Sequence, residues 1–249
     1  MAQNELNSRN GAWGGKRIVF LGGTSGVGFG AAEAAAKEGA SVVVVSSRKM
    51  RVDHALSRLP QGAEGHVVDL SDEAQSQSFF AHIGEFDHLV FSAGEPLQFE
   101  SLGTMDIDVA RRLYDLRYWG AVIAAKYGSP NIRPGGSITL VSGVAGTRPP
   151  AGLAVAASIC GAVEALTRAL AVELRPLRVN AVSFGLMRTE MYDGIPEEQR
   201  IAMYDTVGKS LPVGRVGEPE DAAEAFLFLM REQYATGQVI VVDGGSLLV

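Results

Sequence analysis

A single cysteine, Cys160, stands in a chain of 249 residues. One thiol excludes an internal disulfide and a cysteine-based metal centre, and it fits a reducing compartment. Histidine is almost as scarce: His54, His66, His82 and His88 have no spacing that would bring them together on a metal. Bases are outnumbered, 22 Lys and Arg against 28 Asp and Glu, for a net charge of -6. With no basic run either, nucleic acid and anionic membranes make poor partners. No uncharged apolar run reaches the roughly 18 residues of a membrane span. The opening MAQNELNSRNGAWGG lacks the apolar core of a signal peptide. These absences predict a cytoplasmic protein with a polar, loosely ordered leader at 1–15 and one folded domain over 16–249.

What is present is apolar sequence (47% of the chain) and 30 glycines. That is enough for a sizeable core and many tight turns. Short β-rich runs at 17–21, 41–45, 66–69, 88–91, 137–141, 178–183 and 238–242 alternate with helical patterns near 28–38, 50–59, 72–84, 105–127, 153–175 and 219–231. Several of the β runs are unbroken Val/Ile/Leu, as in strands covered on both faces. The alternation predicts an α/β, doubly wound parallel sheet with helices on both faces, in one domain. The least regular stretch, 186–215, follows the end of a strand, where ligands bind in such sheets. It reads either as a lid or as a surface excursion without function.

IVFLGGTSGVGFG, residues 18–30, is a strand running into glycines and then a helix. Glycines let backbone turn sharply and approach a pyrophosphate, which the helix N-terminus attracts. Two registers fit: Gly22, Gly26 and Gly28, or Gly26, Gly28 and Ala31. The first is preferred because the strand ends at Leu21. An NAD site wants an acid at the end of the second strand to hold the ribose hydroxyls. Here the chain reads VVVVSSRKMR: Ser46 and Ser47, then Arg48, Lys49 and Arg51. These suit a 2′-phosphate and so NADP(H), although an ordinary basic helix start would look the same.

Together with VVDLSD (67–72), FSAG (91–94), GGSITLVSGVAG (135–146), VNAVSFGLMRTEMY (179–192) and GQVIVVDGG (237–245), this loop strongly resembles the short-chain dehydrogenase/reductase superfamily over about 16–247. The resemblance implies a Rossmann fold with strand order 3-2-1-4-5-6-7, commonly assembled as tetramers, acting on small molecules with a nicotinamide cofactor. It places the phosphate loop on Gly22, Gly26 and Gly28, with Thr24, Ser25 and Val27 between them. The adenine-contacting acid falls on Asp69, with Leu70 beside it. FSAG stands where Asn-Asn-Ala-Gly is usual, so Ala93 and Gly94 match while Phe91 and Ser92 depart. Gly185 matches the glycine after the sixth strand, and Thr189 the threonine that meets the nicotinamide carboxamide.

GLAVAASICGAVEALTRALAVEL, residues 152–174, reads as a helix whose first half carries no charge before Glu164. In the family this helix begins Tyr-x-x-x-Lys, the Tyr exchanging a proton with the substrate oxygen and the Lys lowering its pKa. Aligned on GAVEALTR (161–168), those positions are Ala156 and Cys160. The family's serine falls on Gly143, beside Ser142, and its asparagine falls on Arg117. All four usual catalytic positions are changed.

The replacements suggest Arg117 and Ser142 as candidate catalytic residues. Arg117 restores to the corner the cation lost at position 160 and is expected to reach into the pocket and act by electrostatics. Its alternative is a side chain turned to solvent or an assembly interface. Ser142 is the best-placed hydroxyl, though a backbone hydrogen bond would explain it equally. Tyr118, Tyr192 and Tyr204 are possible proton donors, and Cys160 reads as a small buried hydrophobe or as a nucleophile. The expected function is an NADP(H)-dependent oxidoreductase with a non-standard site, reducing C=N or activated C=O or C=C groups. An NADP(H)-binding protein without turnover, and a cyclase or isomerase using the old pocket, remain open.

Overall fold

The computed structural model describes residues 12–97 and 99–249; residues 1–11 of the expected leader lie outside the described residues. Seven parallel strands form one sheet: β1 Arg17–Leu21, β2 Ser41–Ser46, β3 Glu64–Val67, β4 Phe86–Phe91, β5 Ile132–Gly143, β6 Arg178–Phe184 and β7 Val239–Val242. Their order is β3-β2-β1-β4-β5-β6-β7, as expected. Between them run α1 Gly26–Lys37, α2 Lys49–Arg58, α3 Glu73–His82, α4 Ile107–Tyr114, α5 Gly120–Gly128, α6 Ala154–Glu173, α7 Glu197–Ser210 and α8 Pro219–Arg231.

Strand side chains alternate between faces, and here both faces are covered. Along β1, Ile18 and Phe20 join Phe29, Ala32, Phe226 and Met230 of α1 and α8 in one core layer. Val19 and Leu21 join Phe79, Phe80, Ala124, Ile159 and Val163 of α3, α5 and α6 in the other. All four β1 residues are fully buried, which is why the run has no polar alternation. Burial of each such side chain contributes roughly 1.5–3 kcal/mol.

Local chemistry sets the helix starts. Asp72 Oδ1 accepts from the amides of Ala74 and Gln75, and Asp106 Oδ1 from those of Asp108 and Val109. Pro219 opens α8 inside a reciprocal cap between Glu218 and Asp221. Helix α6 is long and apolar enough to cross a membrane. Its inner stripe, Ile159, Val163, Thr167 and Ala171, is nevertheless buried against the sheet.

Three expectations need correction. Trp13 is 3% exposed, and its amide donates to Glu38 O at 3.0 Å, so ordered packing reaches into the expected leader rather than starting at residue 16. The segment 186–215 is largely helical: α7 fills its second half, its apolar residues too few for a clear stripe. The helix expected over 105–127 is interrupted by a π-helical turn at Asp115–Trp119, which carries Arg117.

Candidate active site

A cavity of about 760 Å³ opens at the carboxyl ends of the strands, bounded by the turns after β1 to β6 and by α7. Gly22, Thr24, Ser25, Gly26 and Val27 form one wall. Gly22 has φ +85°, and a Cβ there would lie 2.5 Å from Ala93 N; Gly26 has φ +53°. Gly28 lies behind the wall, where a Cβ would meet Ser92 Oγ at 2.1 Å. All three glycines of the first register are therefore required by backbone conformation or close approach. Ser92 N donates to Leu21 O at 2.8 Å, tying the turn after β4 to the loop.

Ser46, Ser47 and Arg48 line the next part of the wall, followed by Asp69 and Leu70. Lys49 does not join them. It is turned outward onto Asp53, with Nζ 2.7 and 2.8 Å from the two carboxylate oxygens, and Arg51 lines the cavity instead. A helix start allows this because residues two positions apart point in different directions. Arg48 and Arg51 have no carboxylate partner among the described residues. Asp69 Oδ1 accepts from Ser71 N and Oγ. Ser92, Ala93 and Gly94 follow β4, while Gly185 and Thr189 close the far side, Thr189 packing against Gly26. With a glycine cradle beside two free guanidinium groups, these residues fit an NADP(H) molecule.

The remaining wall holds Gly143, Ala156 and Cys160, the emptied family positions. A Cβ on Gly143 would touch Cys160 Sγ at 3.4 Å, so the thiol occupies space beside the missing serine side chain. Burial pushes the Cys160 thiol up, which keeps it protonated and argues against a nucleophile. Ser142 lines the cavity, but its hydroxyl is directed to Glu164 Oε1 at 2.9 Å, with Cys160 O at 3.3 Å. Its proton is thereby turned toward α6.

Arg117 enters the cavity. Nη2 donates to the Glu95 carbonyl at 2.5 Å, and the guanidinium lies over Gly94. Burial pushes its pKa down while the Glu95 carboxylate pulls it up. Arg117 Nε is 3.7 Å from Glu95 Oε2, which is buried and accepts no hydrogen bond. Burial pushes the Glu95 carboxyl up, its own amide and Arg117 oppose this, and Asp69 and Asp115 add to the rise. Sequence reasoning missed Glu95. Its signal was position alone, directly after FSAG.

Of the three tyrosines, only Tyr192 lines the cavity, and burial pushes its phenol up to about 12. Tyr118 packs into the apolar cluster, and Tyr204 is buried beneath Tyr192 and Arg188. Met191, Tyr192, Met203, Val207 and Leu211, from the segment read as a lid, form an apolar roof. The roof is joined to the turn after β4 by Leu97 N donating to Met191 O at 2.9 Å.

Comparison with known proteins gives concordant matches. A family model described as enoyl-(acyl carrier protein) reductase matches residues 22–246. The short-chain dehydrogenase/reductase ATR9 of Stachybotrys chlorohalonatus is 36% identical, over 94% of this chain and 98% of its own. A small-chain dehydrogenase solved in complex with NADPH is 39% identical with a TM-score of 0.83, over 94% of this chain and 99% of its own. The reductase/Diels-Alderase MalC of Malbranchea aurantiaca superimposes with a TM-score of 0.87 at 32% identity, over 97% of this chain and all of its own (100%).

Proposed function

The chain belongs to the short-chain dehydrogenase/reductase family of oxidoreductases, and from that premise we propose that it is an NADP(H)-dependent reductase of C=N groups. One observation carries this reading: the phosphate cradle is complete while Ala156, Cys160 and Gly143 leave the family's proton-exchanging corner without an acid. Gly22, Gly26 and the amides opening α1 would hold the pyrophosphate, and Arg48 and Arg51 the 2′-phosphate. Asp69 would meet the adenine, and Thr189 the carboxamide. The cofactor of the related NADPH complex supports the choice. The chemistry that NADPH would supply there is a hydride to the substrate carbon, with the C=N electron pair passing to nitrogen so that NADP⁺ and an amine would remain.

A ketone needs a proton at its oxygen during that transfer, and loss of a positioned acid typically costs about 10²–10⁴-fold. An iminium carbon needs none. The residues here orient and enclose such a substrate. Arg117, its charge partly offset by Glu95 3.7 Å away, offers hydrogen-bond donors to the nicotinamide ribose or to a carbonyl or anionic group of the substrate, and the apolar roof from 186–215 excludes water as a lid. Activated C=O and C=C groups are secondary acceptors in this reading. A second use of the enclosed cavity, shaping a cyclisation, is favoured by the likeness to a protein described as a reductase/Diels-Alderase. Trp119 and Val172 stay more than half exposed on the outer helices, which supports a homo-oligomer, dimer or tetramer.

The test follows NADPH oxidation by absorbance with dihydroisoquinolinium, a protonated cyclic imine, and with cyclohexanone. The imine should be reduced and the ketone hardly at all, and Ala156→Tyr alone should not rescue the ketone, because the Lys and Ser positions stay empty. Robust wild-type reduction of the ketone, or no oxidation with any imine, overturns the reading.

A further inference from the structure

We propose that Glu95 is the counter-ion for a cationic nitrogen, so that the cavity selects iminium and ammonium groups over neutral groups of the same shape. The proposal rests on the reading of the cavity as a C=N reductase site and names the residue that recognises the substrate's charge.

The geometry supplies an unfilled acceptor. Glu95 Oε2 is buried at the cavity wall and accepts no hydrogen bond, although a guanidinium lies beside it. Arg117 does not satisfy it, since Nη2 is committed to the Glu95 carbonyl and Nε stays 3.7 Å from the carboxylate. A buried carboxylate oxygen without a donor is costly, and a ligand N–H would remove that cost.

The sign of the ligand follows from the unfilled oxygen itself. Arg117 lowers Glu95 while Asp69 and Asp115 raise it, so the one guanidinium beside Glu95 is opposed by two further carboxylates. Cys160 and Tyr192, the other titratable groups beside Arg117, are both held in their neutral forms by burial. Arg48, Arg51 and Arg148 line other parts of the same cavity, so the preference for a cation is local to the Glu95 oxygen. The surrounding walls, Leu97, Phe99, Leu153, Ile159 and Met191, cannot solvate an incoming charge. A cation entering them would hold Glu95 in its ionised form against the burial that raises it, whereas a neutral ligand would not.

The experiment is calorimetric titration of the NADPH-loaded protein with tetrahydroisoquinolinium, an ammonium that cannot accept hydride, and with its neutral carbocycle, tetralin. The wild type should prefer the ammonium by at least about tenfold, the size of one charge-assisted contact. Glu95→Gln should lose that preference, and Glu95→Asp should keep part of it. Equal binding of the two ligands by the wild type overturns the proposal, as does a folded Glu95→Gln variant that still prefers the ammonium. If Glu95→Gln does not fold, the wild-type comparison decides alone. Ammonium preference without imine reduction would remove the reductase reading and leave this site standing. Imine reduction without ammonium preference would do the reverse.

Discussion

Replacing Gly94 by alanine isolates the contribution of the Arg117 head group. A Cβ at position 94 would lie 2.6 Å from Arg117 Cζ and Nη2 and 2.7 Å from Nη1. Those distances are too short to persist, and the guanidinium is the end of a flexible side chain, so it moves and the backbone stays. Gly94 is not among the positive-φ glycines, so alanine adds no backbone strain there. Displacement breaks the 2.5 Å bond to the Glu95 carbonyl. A hydrogen bond from a charged donor contributes about 1.5–3 kcal/mol, which corresponds to a roughly 10- to 150-fold fall in kcat/KM if Arg117 acts on the bound substrate. The assay is a double-mutant cycle on imine reduction with Gly94→Ala, Arg117→Ala and both together. Because the methyl acts through Arg117, the double variant should be no worse than Arg117→Ala alone. Additive losses would show that the methyl obstructs something else, and unchanged turnover in all three would remove Arg117 from the site.

Two further predictions concern cofactor choice and pH. Arg48→Ala should weaken NADPH binding by about tenfold, the size of one charge-assisted contact, and leave NADH binding unchanged; titration with each cofactor checks this, and equal losses would refute a 2′-phosphate role. Burial, then the charge of Arg178, holds the His88 imidazole down from 6.5 to about 4, with Ser137 Oγ 2.9 Å from Nδ1 and Trp13 edge-on. The folded protein thus binds fewer protons than the unfolded chain in that window. Its stability should be full above about pH 6.5 and fall toward pH 4 by up to about 1.4 kcal/mol per unit, an arm of the denaturation profile that His88→Gln should flatten.

The sheet was legible because its strands are covered on both faces, and unbroken runs such as VVVV at 42–45 announce that directly. The phosphate loop was legible for a related reason: strand, glycines and helix leave few alternatives. Lys49 was misplaced because neighbouring cations at a helix start differ only in direction, and pairing with Asp53 one turn on decided it. Helix α7 was obscured by its few apolar residues, of which Met203 and Val207 meet the cavity rather than the core. Glu95 was invisible because what distinguishes it is an oxygen left without a donor, and no spacing rule records that. The emptied corner shows the reverse. Ala156, Cys160 and Gly143 were read as absences, and the structure turns them into a wall with a defined shape.

The π-helical turn at 115–119 sets the phase of the helices on either side of it. In an α-helix, residues four apart drift by about 40° around the axis. Leu113, Arg117, Ala121 and Ala125 are spaced by four throughout, and a regular helix would carry the last of them well away from the first. The wider turn absorbs that drift, so Leu113, Ala121 and Ala125 pack on one apolar cluster while Arg117 reaches the cavity between them. Loss of one residue from this turn would rewind the helix and swing Arg117 relative to the alanines of α5 by about 100°. The place of Arg117 in the cavity is thus a matter of helical register as much as of residue type, and a change in chain length here would alter the chemistry without altering any side chain that lines it.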